Sequence, residues 1–326
     1  MKKKILFFGF SVTRYGNPPY PIRLKETLAE QGIEDYEISY AALGGVSLEC
    51  IPFITEHLKK LSPDLIFFEI ATSHYALTPK DISRTKDIFL RLFENLSIFC
   101  NKIVFLLLPR KDIEGECPIR VALDQLRGEY SFGLIEMRAA FDSDWERHAV
   151  DLVHPSPLGI EKICREIMHY LQGVDTLNLI IDTGPSMSRE LFLSNFAPHH
   201  KYPLLRFFEH SHFSYKAVPM ATGDMLEFRL DRSCHLHGIF YLMGPETSSL
   251  DIRFLDKTLS VRTFDQHSYY YRIGFTPFQE SKQVKRNEVI SILSSENRFN
   301  TILSKESVYK THGIMNYPIS FACSDV

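Results

Sequence analysis

An aspartate and a histidine stand three residues apart in the segment Asp151-Leu152-Val153-His154-Pro155, directly before a helix-like run. With this spacing, the carboxylate of Asp151 can turn back onto one ring nitrogen of His154, which fixes the tautomer of the imidazole. The other ring nitrogen is then free to act as a general base. The segment therefore predicts base-assisted catalysis, which requires a nucleophile elsewhere in the chain.

Ser11 is the best candidate for this nucleophile. It follows the apolar, strand-like run from Ile5 to Phe8 and ends the turn Gly9-Phe10-Ser11. A Gly-x-Ser turn alone is weak evidence, because serine is a common turn residue. Together with Asp151 and His154, in this order and context, the turn favours a catalytic serine.

The composition is that of an ordinary globular protein. With 326 residues the chain is long enough for two domains, since about 100–200 residues per domain is usual. Hydrophobic residues make up 44%, charged residues 24%, and the formal net charge is -3. No strongly basic surface therefore invites nucleic acid, and no run reaches the roughly 18 apolar residues of a membrane helix. We expect neither a nucleic-acid partner nor a membrane span.

The N-terminus predicts a cytoplasmic protein. The lysines of Met1-Lys2-Lys3-Lys4 could suggest a signal peptide, but the apolar run behind them extends only from Ile5 to Phe8. Cleavage there would remove Ser11, so we expect a mature cytoplasmic start. The six cysteines are scattered without a Cys-x-x-Cys pair, which is typical of reduced thiols and argues against a cysteine-based zinc site.

The first half of the chain alternates strand-like apolar runs with helical periodicity, which predicts a parallel sheet covered by helices. The predicted strands are 5–8, 36–42, 64–71, 102–108 and 132–137, and the predicted helices are 22–31, 48–61, 88–99 and 156–171. The candidate catalytic residues fall after the carboxyl end of a strand or just before a helix, where open α/β sheets bind ligands. We assign residues 1–173 to an α/β catalytic domain.

The second half has a different pattern, in which helical periodicity fades and aromatic, Pro, Gly and His residues become frequent. Short alternating runs predict antiparallel strands at 225–230, 237–243, 250–255, 259–264 and 269–275, with weaker candidates at 289–293 and 301–303. Turn residues separate these runs. We assign residues 174–326 to a β-sandwich, jelly-roll-like accessory domain.

Two sets of side chains in the second half could bind ligands. The histidine pairs, which could hold a metal ion, are His199-His200, His210-Ser211-His212 and His235-Leu236-His237. No carboxylate or cysteine stands at a fixed spacing from them, so we predict no metal site. Tyr269-Tyr270-Tyr271, with Phe264 and Phe275, could form an aromatic platform for a sugar ring. Strand alternation would put only Tyr269 and Tyr271 on one face, so the β core remains the alternative for part of this set.

Four segments of the first half resemble the sequence blocks of the SGNH (GDSL-like) hydrolase superfamily, which supply Ser, Gly, Asn and His in turn. Gly9-Phe10-Ser11-Val12-Thr13 is similar to the first block and Gly44-Gly45-Val46-Ser47 to the second. Ala71-Thr72-Ser73-His74 lies where the third is expected, and Asp151-Leu152-Val153-His154-Pro155 matches the fourth. The resemblance implies a flavodoxin-like, three-layer parallel sheet and esterase or acyltransferase activity.

The resemblance also implies a role for each matching residue. Ser11 would be the nucleophile, and His154, oriented by Asp151, would take its proton as the oxygen attacks an ester carbonyl. Backbone N–H groups of Ser11 and Gly45, together with Ser73, would hold the oxyanion. The neighbouring residues implied in substrate binding are Gly44, Thr72 and His74. Hydrolysis by this route would need no cofactor.

Two positions depart from the blocks. Phe10 stands where the first block usually has an acidic residue, and because that residue is neither nucleophile nor base, we expect its loss to be tolerated. Ser73 stands where the third block has an asparagine, whose side-chain N–H reaches into the oxyanion hole. Losing one such donor costs about 10²–10³ in rate, or about 2.7–4 kcal/mol. The hydroxyl of Ser73 or Thr72, or the ring of His74, could donate instead.

The same motifs have structural interpretations. The Asp-x-x-His-Pro segment could mark a helix start, because proline is favoured in the first turn and aspartate there contributes about 0.3–1 kcal/mol. Gly44 and Gly45 could form only a tight turn, and Ser73 could be an ordinary helix cap.

Three hypotheses of function follow from the sequence. The first is a serine-dependent esterase or O-acyltransferase acting on O-acetyl groups of a carbohydrate; the transferase alternative would use acetyl-CoA as donor. The second, motivated by Phe10 and Ser73, is a non-catalytic carbohydrate-binding protein on a decayed hydrolase fold. The third is a lectin-like module in the second half, with the first half as its scaffold.

Overall fold

The chain folds into two compact units, Met1–Ser186 and Met187–Val326. This computed structural model describes residues 2–73, 82–113, 116–172, 188–197, 201, 204–210, 212–254, 257–298, 301–307 and 313–325. The boundary predicted between residues 173 and 174 lies outside the described residues. Within them, no helix has both the length and the apolar character needed to cross a membrane.

The first unit is built on one parallel sheet of five strands in the order β2-β1-β3-β4-β5. The strands are β1 (Lys3–Gly9), β2 (Tyr36–Ala42), β3 (Leu65–Ile70), β4 (Ile103–Leu107) and β5 (Gly133–Glu136). β1 pairs in parallel with β2 on one side and with β3 on the other. The predicted flavodoxin-like sheet is confirmed.

Helices cover the sheet from both sides. They are α1 (Ser11–Arg14), α2 (Tyr20–Glu30), α3 (Ile51–Ile54), α4 (Glu56–Lys59), α5 (Ile82–Ser97), α6 (Pro118–Leu126), α7 (Arg138–Asp142), α8 (Trp145–His148) and α9 (Pro157–Leu171). On one face, Phe7 and Phe67 share a buried cluster with Leu24 of α2 and Ile163 of α9. On the other face, rings of α5 pack on Phe105 of β4. Burying each such apolar side chain stabilises the fold by about 1.5–3 kcal/mol, which explains why the central strands are mainly apolar.

Local chemistry sets the helix ends. Gly32 ends α2 with a φ of 72°, a left-handed conformation that glycine adopts without strain. Ser156 caps α9 by accepting a hydrogen bond from the Gly159 N–H at 3.2 Å. The helix predicted over 48–61 is instead a 3-10 turn, Leu48–Cys50, followed by the short α3 and α4. The Thr55 hydroxyl, which donates to the Pro52 carbonyl at 2.9 Å, competes with helical pairing at this break.

The second unit consists of antiparallel sheets. The strands are β6 (Arg189–Phe192), β7 (Arg206–His210), β8 (Phe213–Ala217), β9 (Met220–Ala221), β10 (Met225–Arg229), β11 (Cys234–Met243), β12 (Ser249–Arg253), β13 (Thr258–Arg262), β14 (Arg272–Val284), β15 (Val289–Ser295) and β16 (Met315–Asp325). One sheet has the order β10-β15-β12-β13 and another β14-β11-β16-β6, while β7 and β8 form a hairpin. Ile252 and Ile292 of the first sheet share a buried cluster with Ile239 and Phe321 of the second. The predicted β-rich second half is confirmed.

Several details of the second unit differ from the predictions, and β6 to β9 were not predicted. Residues 301–303 are not a strand. The three tyrosines precede β14, because Asp265 closes a turn there by accepting hydrogen bonds from the His267 N–H at 2.9 Å and the Ser268 hydroxyl at 3.1 Å. The central strand β16 was not predicted, because it is buried on both faces and contains Pro318, so it lacks the alternation that marks a half-exposed strand.

Candidate active site

The carboxyl ends of three neighbouring strands carry the predicted site residues. Ser11 follows β1, Gly44 and Gly45 follow β2, and Ser73 follows β3. Because β1 lies between β2 and β3, the three loops meet at one edge of the sheet. This is the edge where ligands bind in open α/β folds.

Ser11, His154 and Asp151 form one hydrogen-bonded chain. Nε2 of His154 lies 3.2 Å from Oγ of Ser11, and its Nδ1 lies 2.8 Å from Oδ2 of Asp151. An ionised carboxylate only accepts hydrogen bonds, so Nδ1 carries the ring proton and Nε2 is left as the acceptor for the serine hydroxyl. The arrangement can therefore draw the proton from Ser11 as the oxygen attacks an electrophile.

The aspartate loop is a turn, and α9 begins after it at Pro157. Oδ1 of Asp151 accepts hydrogen bonds from the backbone N–H groups of Val153 and His154, both at 2.8 Å. One carboxylate thus fixes the turn and the imidazole together. Partial burial raises the pKa of Asp151, but the hydrogen bonds from His154 and Val153 outweigh it, so the pKa lies below its ordinary value.

Asp151→Asn should make stability less dependent on acid pH. Because the pKa of Asp151 is lowered in the folded state, its stabilising contribution is present above its ordinary pKa of about 3.9 and is lost as pH falls further. We expect wild type to be more stable than the variant near neutral pH and the difference to vanish in strong acid. Thermal unfolding of both proteins across this range measures it, and a constant difference at every pH would contradict the assignment.

The ring of Tyr15 covers His154, with ring centroids 4.3 Å apart and planes tilted by 33°. Tyr15 is 39% exposed, so one edge of this ring faces solvent beside the imidazole. Sequence reasoning missed this residue, because it lies in a loop after α1 without any pattern of its own. The contact limits the orientations open to the His154 ring.

The glycine turn after β2 faces the serine. A Cβ added to Gly44 would lie 3.6 Å from Cβ of Ser11, which places Gly44 against the candidate nucleophile. Gly45 has a φ of 76°, in the left-handed region that other residues enter at a cost. The turn therefore needs glycine at position 45 for its backbone conformation.

Gly45→Ala should lower the free energy of unfolding by about 1–2 kcal/mol, because a Cβ disfavours the left-handed conformation. Gly44→Ala is the matched control, since its Cβ meets Ser11 only at van der Waals distance; we expect a change within about 0.5 kcal/mol. Urea unfolding of both variants measures the difference. Equal losses in the two variants would show that the turn does not depend on the left-handed residue.

Arg110 fixes the backbone directly after β3. Arg110 donates to the Thr72 carbonyl oxygen at 2.5 Å and forms a two-bond pair with Asp112 at 2.9 and 2.8 Å. Ala71 has a φ of 74°, a conformation that costs energy for a residue with a Cβ and is found at functional sites. The backbone at Ala71 and Thr72 is therefore fixed in an unusual conformation.

Within this loop, the predicted residues have different surroundings. The Thr72 hydroxyl donates to Glu69 at 2.5 Å inside the fold, so it is engaged with the protein itself. Ser73 is 6% exposed, and among the described residues its buried hydroxyl has no hydrogen-bond partner. An unpaired buried hydroxyl is costly unless a ligand completes it. His74 lies outside the described residues.

Glu69 is a buried carboxylate that sequence reasoning did not single out. It lies in β3 with 0% exposure, and its Oε2 accepts the Phe10 N–H at 2.7 Å and the Thr13 hydroxyl at 3.1 Å. Burial raises its pKa, while hydrogen bonds from Thr72, Phe10 and Thr13 oppose the increase. The sequence signal that could have identified Glu69 is its position as a lone acidic residue inside the otherwise apolar strand Leu65–Ile70. Buried carboxylates are rare without a specific partner.

The described histidines of the predicted pairs do not form a metal site in the second unit. His237 Nε2 lies 2.9 Å from the Ser324 hydroxyl, and His210 ends β7 whereas His212 lies outside the strands. Three residues of these segments, His199, His200 and Ser211, lie outside the described residues. Among the described residues, no group of three or more His, Cys, Asp or Glu side chains is arranged to hold a metal ion.

Only part of the predicted aromatic platform is exposed. Phe264 and Phe275 are buried core residues. Tyr271 donates to Glu246, and its ring lies 3.8 Å below the guanidinium carbon of Arg206, so it belongs to an internal cluster. Tyr270 is 43% exposed.

Half-buried Tyr269 and exposed Tyr270 form a tyrosine pair in this loop. The rings of Tyr269 and Tyr270 have centroids 5.1 Å apart. The turn at Asp265 and the ion pair between Asp265 and Arg272 fix the ends of the loop that carries them.

Solved structures with the same fold cover the whole chain. A two-domain esterase (CEX) active on acetylated mannans, co-crystallised with mannopentaose, aligns with a TM-score of 0.71 and 13% identity over 100% of this chain and 91% of its own. Another structure of a two-domain esterase (CEX) active on acetylated mannans aligns with a TM-score of 0.69 and 12% identity, over 100% of this chain and 92% of its own. A member of the lipolytic protein G-D-S-L family from Veillonella parvula aligns with a TM-score of 0.43 and 18% identity, over 52% of this chain and 99% of its own. No family model and no curated protein sequence matches. The chain thus shares its overall fold with these two-domain structures, in which a parallel α/β unit is followed by a β-rich unit.

Proposed function

We propose that this protein is a serine esterase that removes O-acetyl groups from a carbohydrate. The observation that carries the proposal is the hydrogen-bonded chain from Ser11 through His154 to Asp151. Serine, imidazole and carboxylate in this order are the groups needed for acyl transfer through a covalent intermediate. The fold shared with an esterase active on acetylated mannans supports acetylated mannan as the first substrate to test.

The residues divide the reaction between them. His154 takes the Ser11 proton as the oxygen attacks the acetyl carbonyl, and the ion pair with Asp151 stabilises the imidazolium that forms. The backbone N–H groups of Ser11 and Gly45 and the Ser73 hydroxyl stabilise the oxyanion. His154 then protonates the leaving sugar hydroxyl, and water attacks the acyl-enzyme.

The acceptor distinguishes an esterase from a transferase. If a sugar hydroxyl replaced water, the same residues would transfer acetyl from acetyl-CoA to a polysaccharide. The chemistry at Ser11 needs no cofactor in either case, and acetyl-CoA would be a substrate.

We also propose that the second unit binds sugar through Tyr269 and Tyr270. Their paired rings lie on a loop whose ends are fixed, and aromatic rings stack on the apolar faces of sugars. The adjoining Gln266 and His267 offer polar groups for sugar hydroxyls. This unit would then hold the polysaccharide while the first unit acts on its acetyl groups.

The decisive experiment measures acetate released from acetylated mannan and from p-nitrophenyl acetate, together with labelling of Ser11 by a fluorophosphonate. Release from both substrates, blocked by the label, supports the esterase. Acetyl-CoA cleavage only in the presence of a sugar acceptor would support the transferase instead. No turnover and no labelling would favour the binding-protein hypothesis. A Tyr269→Ala, Tyr270→Ala double variant that loses activity on acetylated mannan but keeps its activity on p-nitrophenyl acetate would support the sugar-binding role.

A further inference from the structure

Glu69 connects the two loops on which the proposed oxyanion hole depends. Its Oε2 accepts hydrogen bonds from the Phe10 N–H at 2.7 Å and the Thr13 hydroxyl at 3.1 Å. Its Oε1 accepts from the Thr72 hydroxyl at 2.5 Å. One side chain therefore contacts the residue before the candidate nucleophile and the residue before Ser73.

The turn at the end of β1 is shaped around this carboxylate. A Cβ on Gly9 would lie 2.6 Å from Cβ and 2.7 Å from Oε2 of Glu69, closer than atoms approach. Only glycine lets the backbone at position 9 pass this close to the Glu69 side chain. The close approach explains why the Gly-x-Ser motif has glycine at this position. Because Oε2 accepts from both the Phe10 N–H and the Thr13 hydroxyl, the carboxyl group fixes the Gly9–Phe10 peptide directly before the candidate nucleophile.

The network continues into the helix layer. Oγ1 of Thr13 lies 3.1 Å from the Tyr20 hydroxyl, and Thr13 and Tyr20 are both 0% exposed. Because the Thr13 hydroxyl donates its proton to Glu69, the Tyr20 hydroxyl donates to Thr13. The network thus runs from α2 through α1 to β3, beneath the serine.

We infer that Glu69 is a positioning residue that substitutes for the acidic residue replaced by Phe10 in the first sequence block. It holds the Gly9–Phe10 peptide and Thr72 at a fixed separation, so that the donors of the adjoining Ser11 and Ser73 meet one oxyanion. The inference rests on the proposed function, because an oxyanion hole has meaning only for a reacting ester. A buried acid kept only for stability would leave catalytic steps unchanged in a folded variant.

The test compares Glu69→Gln and Thr13→Val with Thr55→Val. Gln removes the charge but keeps the shape, and Thr13→Val removes one donor while the carboxylate stays. Thr55 is a matched control, because it is also a buried threonine and its hydroxyl bonds only within the α3 region, at 2.9 Å from the Pro52 carbonyl. All three are assayed with p-nitrophenyl acetate well below their melting temperatures.

We expect kcat to fall by up to about 10²-fold in Glu69→Gln and by about tenfold in Thr13→Val, since small misplacements of reacting groups have effects of this size. KM should change by less than about threefold, because binding of the ground state is not altered. Thr55→Val should lose thermal stability but keep its kcat. If both test variants kept kcat within about twofold of the control, the inference would be overturned.

Failure of the proposed function has a separate outcome. If wild type neither hydrolyses esters nor reacts with a fluorophosphonate, amide hydrogen exchange of wild type and Glu69→Gln decides the positioning role. Faster exchange confined to residues 10–13 and 72–73 in the variant would support it. Equal protection in both proteins would overturn it, and Thr13→Val serves in the same measurement if Glu69→Gln does not fold.

Discussion

Ser11→Ala should lower kcat for p-nitrophenyl acetate by about 10⁴- to 10⁶-fold, which is the range for serine hydrolases that lose their nucleophile. The hydroxyl is the atom that would form the acyl-enzyme, and alanine has no substitute for it. The fold should remain intact, because Ser11 contributes no apolar burial and the neighbouring Val12 and Thr13, which are fully buried, keep α1 in place. Steady-state kinetics, with thermal unfolding as a check on folding, measure the effect.

The histidine provides the companion variants. His154→Ala should reduce kcat to a similar extent, and the double variant should be no worse than either single one, because the two residues act as a unit. His148→Ala is the control: this histidine lies six residues earlier, and its ring contacts the Asp144 carbonyl oxygen at 2.9 Å, away from Ser11. Activity that survives in Ser11→Ala and His154→Ala but falls in the control would contradict the proposed site.

Ser73→Ala should lower kcat by about 10²-fold, the effect of removing one side-chain donor from an oxyanion hole. The reason is the buried Ser73 hydroxyl, which has no hydrogen-bond partner among the described residues and is available for the oxyanion. Ser73→Asn should keep at least the wild-type kcat, because its amide N–H would supply an oxyanion donor in place of the hydroxyl. The measurement is kcat for the three proteins with the same ester.

Ser39→Ala controls for the loss of a serine hydroxyl, since Ser39 lies in β2 and its hydroxyl faces the Ile5 carbonyl oxygen at 3.5 Å. We expect its kcat to equal that of wild type. If Ser73→Ala also matched wild type, the hydroxyl would not serve the oxyanion, and the backbone N–H groups alone would have to carry that charge. A gain in Ser73→Asn together with a loss in Ser73→Ala would establish the position as a donor.

The sequence predicted the features that local patterns encode. The fully buried strand β4 is a continuous apolar run, so it was predicted over 102–108 and found at Ile103–Leu107; β2 was predicted with its observed bounds, Tyr36–Ala42. The turn from Asp151 to His154 was also predictable, because a three-residue spacing allows both groups to meet without help from the rest of the fold. The tight turn at Gly44 and Gly45 followed from composition in the same way.

Tertiary structure decided the contacts between distant residues. Glu69 and Phe10 are 59 positions apart, and no periodicity relates them, so the carboxylate beneath the serine was not predictable. The break of the helix predicted over 48–61 has a similar cause, since the Pro52 carbonyl accepts from Asn95 of α5 as well as from Thr55. In the second unit, burial of β16 on both faces erased the alternation that marks a strand.

The sequence by itself therefore determined which residues could react and in what order they occur along the chain. Only the folded chain decided which groups hold them, because hydrogen bonds to a buried carboxylate form between segments that chain connectivity does not relate. The distance of 3.2 Å between Nε2 of His154 and Oγ of Ser11, which are 143 positions apart, depends on the packing of α9 beside α2 on one face of the sheet, where Ile163 and Leu24 share a buried cluster with Phe7 of β1.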